Sequence, residues 1–142
     1  PRSEAEDLEL FRSMKPLLKP ENMIFAKKGG QTIGYILWYP DFNELVPPGG
    51  TAGVGTFLRY KVLRRIPVTG KVVEIGLDKK YERTGIIALL FREALKASHK
   101  KTGVVISSWI LDENLSSWLA VRRYADQPYK EFMTYEKTVG PD

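Results

Sequence analysis

The chain reads as a single α/β (α+β) domain with a mixed, mostly antiparallel sheet and one central strand-helix-strand parallel unit. Two observations carry that reading. Gly29–Gly30 separates two runs rich in β-branched and aromatic residues, "MIFAKK" and "QTIGYILWY", and such a pair supplies the positive φ angles of a tight hairpin turn. Further on, "KVVEIGL" (71–77), an amphipathic helical stretch from about Thr84 and "VVISSWI" (104–110) follow in the order strand, helix, strand, which gives a parallel pair joined by a right-handed crossover.

The remaining elements follow in order. "SEAE" at Ser3–Glu6 has capping-box spacing, and Leu10, Phe11, Met14, Leu17 and Leu18 continue at helical spacing until Pro16 kinks or ends the helix; it cannot pass Pro20. The second hairpin strand stops at Pro40. Residues 40–55, "PDFNELVPPGGTAGVG", are turn-rich and aperiodic, a long loop that is either a surface connection or a substrate loop. "TFLRYKVLRRI" interleaves Phe57, Leu58, Val62 and Leu63 with Arg59, Lys61, Arg64 and Arg65, giving a short basic amphipathic helix or an irregular strand. A solvated basic face over a packed apolar one is the plainer expectation, against a nucleic-acid or membrane contact. In the crossover helix Ile87, Leu90, Phe91 and Ala94 share a face, Lys96, Lys100 and Lys101 complement its carboxyl-terminal dipole, and Gly103 closes it. "DENLSSWLAVRR" is a shorter helix capped by Asp112 or Asn114, and "YKEFMTYEKTV" (129–139) reads as a final strand.

Composition narrows the chemistry. At 142 residues, 43% hydrophobic and 27% charged, the chain suits one core. No apolar run approaches the roughly 20 residues of a membrane span, and the acidic start "PRSEAEDLEL" is unlike a secretory signal, so a cytoplasmic location is the default. Cysteine is absent and His99 is the single histidine, which removes thiolate zinc sites, disulfides and multi-histidine metal sites within one chain and disfavours Ser-His-Asp chemistry. Carboxylates, tyrosines, hydroxyls or backbone groups must do the work. The net charge of +5 attracts anions: nucleic acid, acidic lipid or a phosphorylated carrier.

The stretch "YERTGII" places Gly85 where a strand turns into a helix. A helix amino terminus has unpaired N–H groups and partial positive charge, and a glycine there lets the backbone approach an anion closely. Gly85 serves that purpose or ordinary turn geometry. "ERTGII" has neither the three glycines of a dinucleotide fingerprint nor the Gly-Lys-Ser/Thr of a P-loop.

The order of elements from about residue 22 to 137, together with this turn, resembles the GNAT superfamily of acyl-CoA-dependent N-acyltransferases. In that family the strand runs into Gln/Arg-x-x-Gly-x-Gly/Ala, whose amides hold the coenzyme A diphosphate. Here Glu82, Gly85 and Ile87 fall on the three positions, so only the glycine matches; Arg83 and Thr84 add charge and a hydroxyl donor. The resemblance implies that Arg83, Thr84, Gly85, Ile86 and Ile87 cradle the diphosphate, and that the backbone of Ile75, Gly76 and Leu77 pairs with the pantetheine arm. It places Asn114 at a pantetheine contact or, alternatively, as a plain helix cap. Glu74 matches a position that supplies the general base, or is a salt-bridged strand residue. Val121 stands where many members have the tyrosine acid, so Tyr124, Tyr129 or Tyr135 would substitute, with Tyr124 the candidate. Asp41 and Glu44 are candidates for binding a cationic acceptor, and Tyr35, Trp38 and Trp109 for walling its pocket, against a core role for the aromatics.

The resemblance extends to the carboxy-terminal half of larger bacterial GNAT-like proteins with a similar "WYPDFN" segment; the strand and helix that open the GNAT fold are not evident before Ser3. It implies transfer of an acyl group, acetyl first among them, from acetyl-CoA or another acyl-CoA to a small-molecule or peptide amine, with no metal and no membrane partner. The acceptor site would then be incomplete, or completed by another chain, as in a homodimer, or by a further amino-terminal domain. The alternatives are a non-catalytic GNAT-like acyl-CoA-binding or interaction module and, third, a nucleic-acid-binding domain using Lys61, Arg64 and Arg65.

Overall fold

Four strands in the order β1-β2-β3-β4 form one sheet in the computed structural model, which describes residues 3–51, 53–125, 127–128, 130–133 and 135. β1 (Met23–Lys28) and β2 (Gln31–Pro40) are the hairpin, turning through Gly29 at φ 56° and Gly30 at φ 82°. β3 (Thr69–Leu77) pairs antiparallel with β2, and β4 (Val104–Ser107) pairs parallel with β3. α3 (Ile86–His99) is the crossover between them. Ahead of the hairpin, α1 (Glu4–Met14) opens with the expected capping box: the Glu6 N–H donates to Ser3 Oγ at 3.4 Å and the Ser3 N–H to Glu6 Oε2 at 2.7 Å.

The core lies where α3 covers one face of the sheet. Leu90, Phe91 and Ala94 of α3 are buried, as are Ile36 and Trp38 of β2 and Val72 of β3. Burying a side chain of the Leu or Phe class contributes about 1.5–3 kcal/mol, so this contact is a substantial stabilising term for the sheet. Gly70 shows which face of β3 is covered: a Cβ there would stand 3.0 Å from Thr102 Oγ1 and 3.5 Å from Ser98 Cβ at the end of α3.

β3 does not alternate evenly. Its pairing shifts by one residue between Leu37 and Trp38, which face Glu74 and Val72, so Val73 is the extra residue of a β-bulge. Gly70 and Val72 share the α3 face; past the bulge the parity changes, and Ile75, opposite buried Ile36, takes that face. Glu74 and Gly76 are thereby turned to the opposite face, with Tyr35 and Leu37.

The 40–55 loop contains a 3₁₀ turn (Phe42–Leu45) and leads into α2 (Val54–Lys61). The expectation of a packed apolar face on this segment is overturned: α2 buries Thr56 and Tyr60, while Val54, Phe57, Leu58, Val62 and Leu63 are exposed.

The described chain divides into two compact units, Pro1–Ser108 and Trp109–Asp142. The second contains α4 (Leu115–Arg122), capped by Asn114, whose Oδ1 accepts the Ser117 N–H at 3.2 Å. Of the expected final strand, Tyr129, Thr134 and residues 136–139 lie outside the described residues, and Lys130–Met133 and Tyr135 belong to no strand.

Candidate functional site

The bulge at Val73 coincides with a parting of the sheet. β3 and β4 pair from Thr69↔Val104 to Val72↔Ser107, with one more bond from the Ser108 N–H to the Val72 carbonyl at 2.7 Å. Beyond that point Glu74 to Leu77 keep β2 on one side, and Val73 to Leu77 have no β4 partner among the described residues. A bulge bends its strand and increases its twist. The β3 edge at Ile75, Gly76 and Leu77 is thus presented as a template for an extended ligand with amide groups of its own.

The open edge runs directly into the turn. The Asp78 N–H donates to the Ile33 carbonyl at 2.9 Å, which fixes the exit of β3. A 3₁₀ turn (Lys79–Tyr81) follows, capped by Asp78, whose Oδ1 accepts the Lys80 N–H at 3.2 Å. Arg83 then adopts φ 63° and Gly85 φ 84°, ψ 0°, both left-handed in φ. Gly85 is the N-cap of α3, has no side chain to cap with, and receives no side-chain cap bond. The Leu89 amide bonds back to the Gly85 carbonyl at 3.1 Å. The N–H groups of Gly85, Ile86 and Ile87 therefore point out of the helix end, and a left-handed residue followed by helical ones makes the concave donor arrangement that binds anions. A Cβ at Gly85 would meet nothing within 4 Å, so the backbone there faces open space.

Cations surround this turn. Lys28 Nζ and Lys80 Nζ lie 5.1 and 5.2 Å from the centre of the Tyr81 ring. Asp78 pairs with Lys80 at 3.0 Å, and that side-chain bond, then the backbone bond from Lys80, holds its carboxyl below the ordinary 3.8. The same pair raises Lys80, so its charge persists. With Arg83 and Lys79 the turn carries excess positive charge despite exposed Glu82. Nothing local in the sequence marks Lys28 as part of this turn, because only the pairing of the β1–β2 hairpin with β3 brings it to Tyr81.

On the face opposite α3, the Tyr35 hydroxyl donates to Glu74 Oε1 at 3.1 Å. Tyr35 is the cross-strand neighbour of Gly76, and a Cβ on Gly76 would fall 2.4 Å from Tyr35 Cε1, so the ring lies against the glycine backbone. Glu74, Tyr35, Gly76 and the open edge are one continuous group of residues.

Within the first unit, Trp38, Asp41 and Glu44 do not belong to this group. Trp38 is 1% exposed and its indole N–H donates to the Glu21 carbonyl at 2.8 Å, a core role. Asp41 Oδ1 accepts the Asn43 N–H at 3.2 Å and an Asn43 Nδ2 hydrogen at 2.9 Å, capping its 3₁₀ turn. Glu44 accepts the N–H groups of Val68 and Thr69 at 2.9 and 3.0 Å, tying the loop to the start of β3. Both carboxylates sit at the end of β3 remote from Leu77, roughly 25 Å away at strand rise. Asn114, Trp109 and Tyr124 belong to the second unit, where Asn114 is a helix cap and the Tyr124 N–H bonds to the Val121 carbonyl at 2.8 Å.

Solved structures share this architecture. The aminoglycoside 6'-N-acetyltransferase AAC(6')-Ig of Acinetobacter haemolyticus superposes with a TM-score of 0.59 at 18% identity, covering 98% of this chain and 84% of its own. AAC(6')-Iy, solved with a bisubstrate analogue of coenzyme A and acetylneamine, gives 0.63 at 14% identity over 96% and 83%. The chain has the GNAT fold. At these identities the likeness speaks for the fold, and the forked edge between β3 and β4 of this GNAT sheet leads into the uncapped start of α3. No family profile matches the sequence. Among curated proteins it is 30% identical to protein YghO of Escherichia coli over 91% of the chain, and 24% identical to the bacterial ceramide synthase of Caulobacter vibrioides over 98%. The chain spans 36% and 38% of the length of these relatives.

Proposed function

We propose that this GNAT-fold chain transfers an acyl group from acyl-CoA to an amine by direct attack. The observation that carries the reading is the continuous path from the unpaired β3 edge to the outward amides of Gly85, Ile86 and Ile87. Those amides, with Arg83 and Thr84, would hold the diphosphate, while Ile75, Gly76 and Leu77 would pair with the pantetheine arm. Lys28 and Lys80 add charge for the carrier's phosphates.

The amine must lose a proton before its lone pair can attack the thioester carbonyl. Glu74, held by Tyr35 on the face beside the open edge, takes that proton directly or through one water. The nitrogen–carbon bond forms, the carbon–sulfur bond breaks, and the thiolate leaves with a proton from an acid, for which Tyr124 is the candidate. Positioning and backbone donors polarising the carbonyl supply most of the acceleration. Asn114 would contact the pantetheine arm.

The acceptor is an amine. A relative named as a ceramide synthase favours a long-chain one, since a ceramide is the amide of a fatty acid with a long-chain amino alcohol; structures named as aminoglycoside acetyltransferases favour a small polar one. Titration calorimetry with acetyl-CoA and longer acyl-CoAs tests carrier binding, and the absence of heat at millimolar ligand contradicts it. Binding without thiol release in the presence of either amine class would leave an acyl-CoA-binding module instead.

A further inference from the structure

We infer that the segment Val54–Val68 is a docking surface for an anionic membrane. α2 is amphipathic the wrong way round for a helix packed in a core. Val54, Phe57, Leu58, Lys61 and Val62 recur at the spacing of one helical face, and that face is turned to solvent, while Thr56 and Tyr60 on the other side are buried. Past the helix Leu63, Ile66 and Val68 are also exposed. Seven large apolar side chains, from 39% exposed at Phe57 to 77% at Val54, thus face solvent within one short segment, and such clustering marks an interaction surface.

The partner is identified by charge. Between Glu44 and Glu74 the chain has no acidic residue and five basic ones, Arg59, Lys61, Arg64, Arg65 and Lys71. Arg59 is engaged, donating to the Leu45 carbonyl at 2.7 Å. Lys61, Arg64 and Arg65 are exposed and have no ion pair among the described residues. Lys61 lies in the apolar stripe itself; its Nζ is 5.5 Å from the centre of the Tyr60 ring, and a rotation of its exposed side chain would bring the ammonium to phosphates. Arg64 ends the helix at φ 49°, a left-handed position that glycine fills more easily, and the Arg65 N–H bonds back to the Arg59 carbonyl at 3.0 Å. Apolar side chains flanked by cations that have no ion pair among the described residues match the acyl and headgroup layers of an anionic bilayer, not a neutral protein groove. The surface is on the β2–β3 connection, away from the turn at Gly85, so it stands or falls independently of acyl transfer.

Flotation of the 142-residue chain with vesicles decides the matter. The expected result is co-flotation with phosphatidylcholine vesicles containing phosphatidylglycerol, little with phosphatidylcholine alone, and loss at high salt. Arg64→Gln with Arg65→Gln should lower partitioning about 30-fold, at about fivefold per charge. Phe57→Ser with Leu58→Ser should lower it on both vesicle types. Arg64→Gly separates binding from folding: it relieves the left-handed strain and raises Tm while weakening partitioning about fivefold. No flotation, equal flotation of all variants, or a concentration-dependent dimer abolished by the Phe57 and Leu58 substitutions would overturn the assignment. Salt-sensitive binding to RNA or DNA with no vesicle binding would do so as well.

Discussion

The Tyr35 hydroxyl donates to the Glu74 carboxylate at 3.1 Å across the β2–β3 pair, on the sheet face that α3 does not cover. The bulge at Val73 makes this possible, because without it Glu74 would share the face of Val72 and Gly70 and point into α3. If Glu74 is the base, Glu74→Gln lowers kcat about 100- to 1,000-fold with little change in KM, and the acidic limb of the pH–rate profile disappears. Tyr35→Phe keeps the carboxylate and loses only its orientation, so kcat drops several-fold and the limb remains. Steady-state kinetics across pH, with the best amine found, separates the two.

Gly76 is sized by Tyr35. Gly76→Ala puts a Cβ 2.4 Å from the ring, which must move, and we expect a loss of about 1–3 kcal/mol in denaturant unfolding. Combining it with Tyr35→Ala should cost less than the sum of the two single changes, because the clash is gone. Additive effects would show that the ring does not lie against this backbone.

At Gly85, geometry and charge can be separated. Gly85→Ala meets no neighbour and bears only the left-handed φ penalty of about 1–2 kcal/mol. Gly85→Glu bears the same backbone penalty and also sets a negative charge at the outward amides. In calorimetry Gly85→Ala should retain coenzyme A binding, weakened at most modestly, and Gly85→Glu should abolish it. Equal affinities would make the turn purely structural.

An ion pair between Lys101, just past α3, and Glu21, just before β1, gives a pH signature. The hydrogen bond from Lys101 is the first cause holding the Glu21 carboxyl below its ordinary 4.5. The folded protein therefore binds this proton more weakly than the unfolded chain. The stabilisation is complete above pH 4.5 and is lost as pH falls through the lower folded value. Both side chains are partly exposed, so Glu21→Gln should cost less than about 1 kcal/mol at neutral pH and nothing measurable in acid. Unfolding free energies at the two pH values check the sign.

What the sequence disclosed was local. The Ser3–Glu6 capping box, the Gly29–Gly30 turn, the Asn114 cap and the N-cap position of Gly85 each depend on residues within one turn of one another. Properties set by pairing partners were hidden. The Val73 bulge exists only in register with β2, and Lys28 reaches Tyr81 only because the hairpin folds onto β3. Asp41 and Glu44 looked like acceptor ligands because a free carboxylate and a backbone cap have the same letter, and here both serve the backbone. For α2, the sequence left a helix and an irregular strand both open and did not show the side that packs: Thr56 and Tyr60 are inside and the larger apolar residues outside.

Backbone amide NMR on the chain titrated with acetyl-CoA tests the central claim most directly. The account predicts shifts concentrated at Ile75, Gly76, Leu77, Gly85, Ile86 and Ile87, with the 3₁₀ turn at Asn43 and Glu44, at the remote end of β3, unmoved. Saturable shifts that spare the edge of β3 and the start of α3, or none at millimolar ligand, would contradict it.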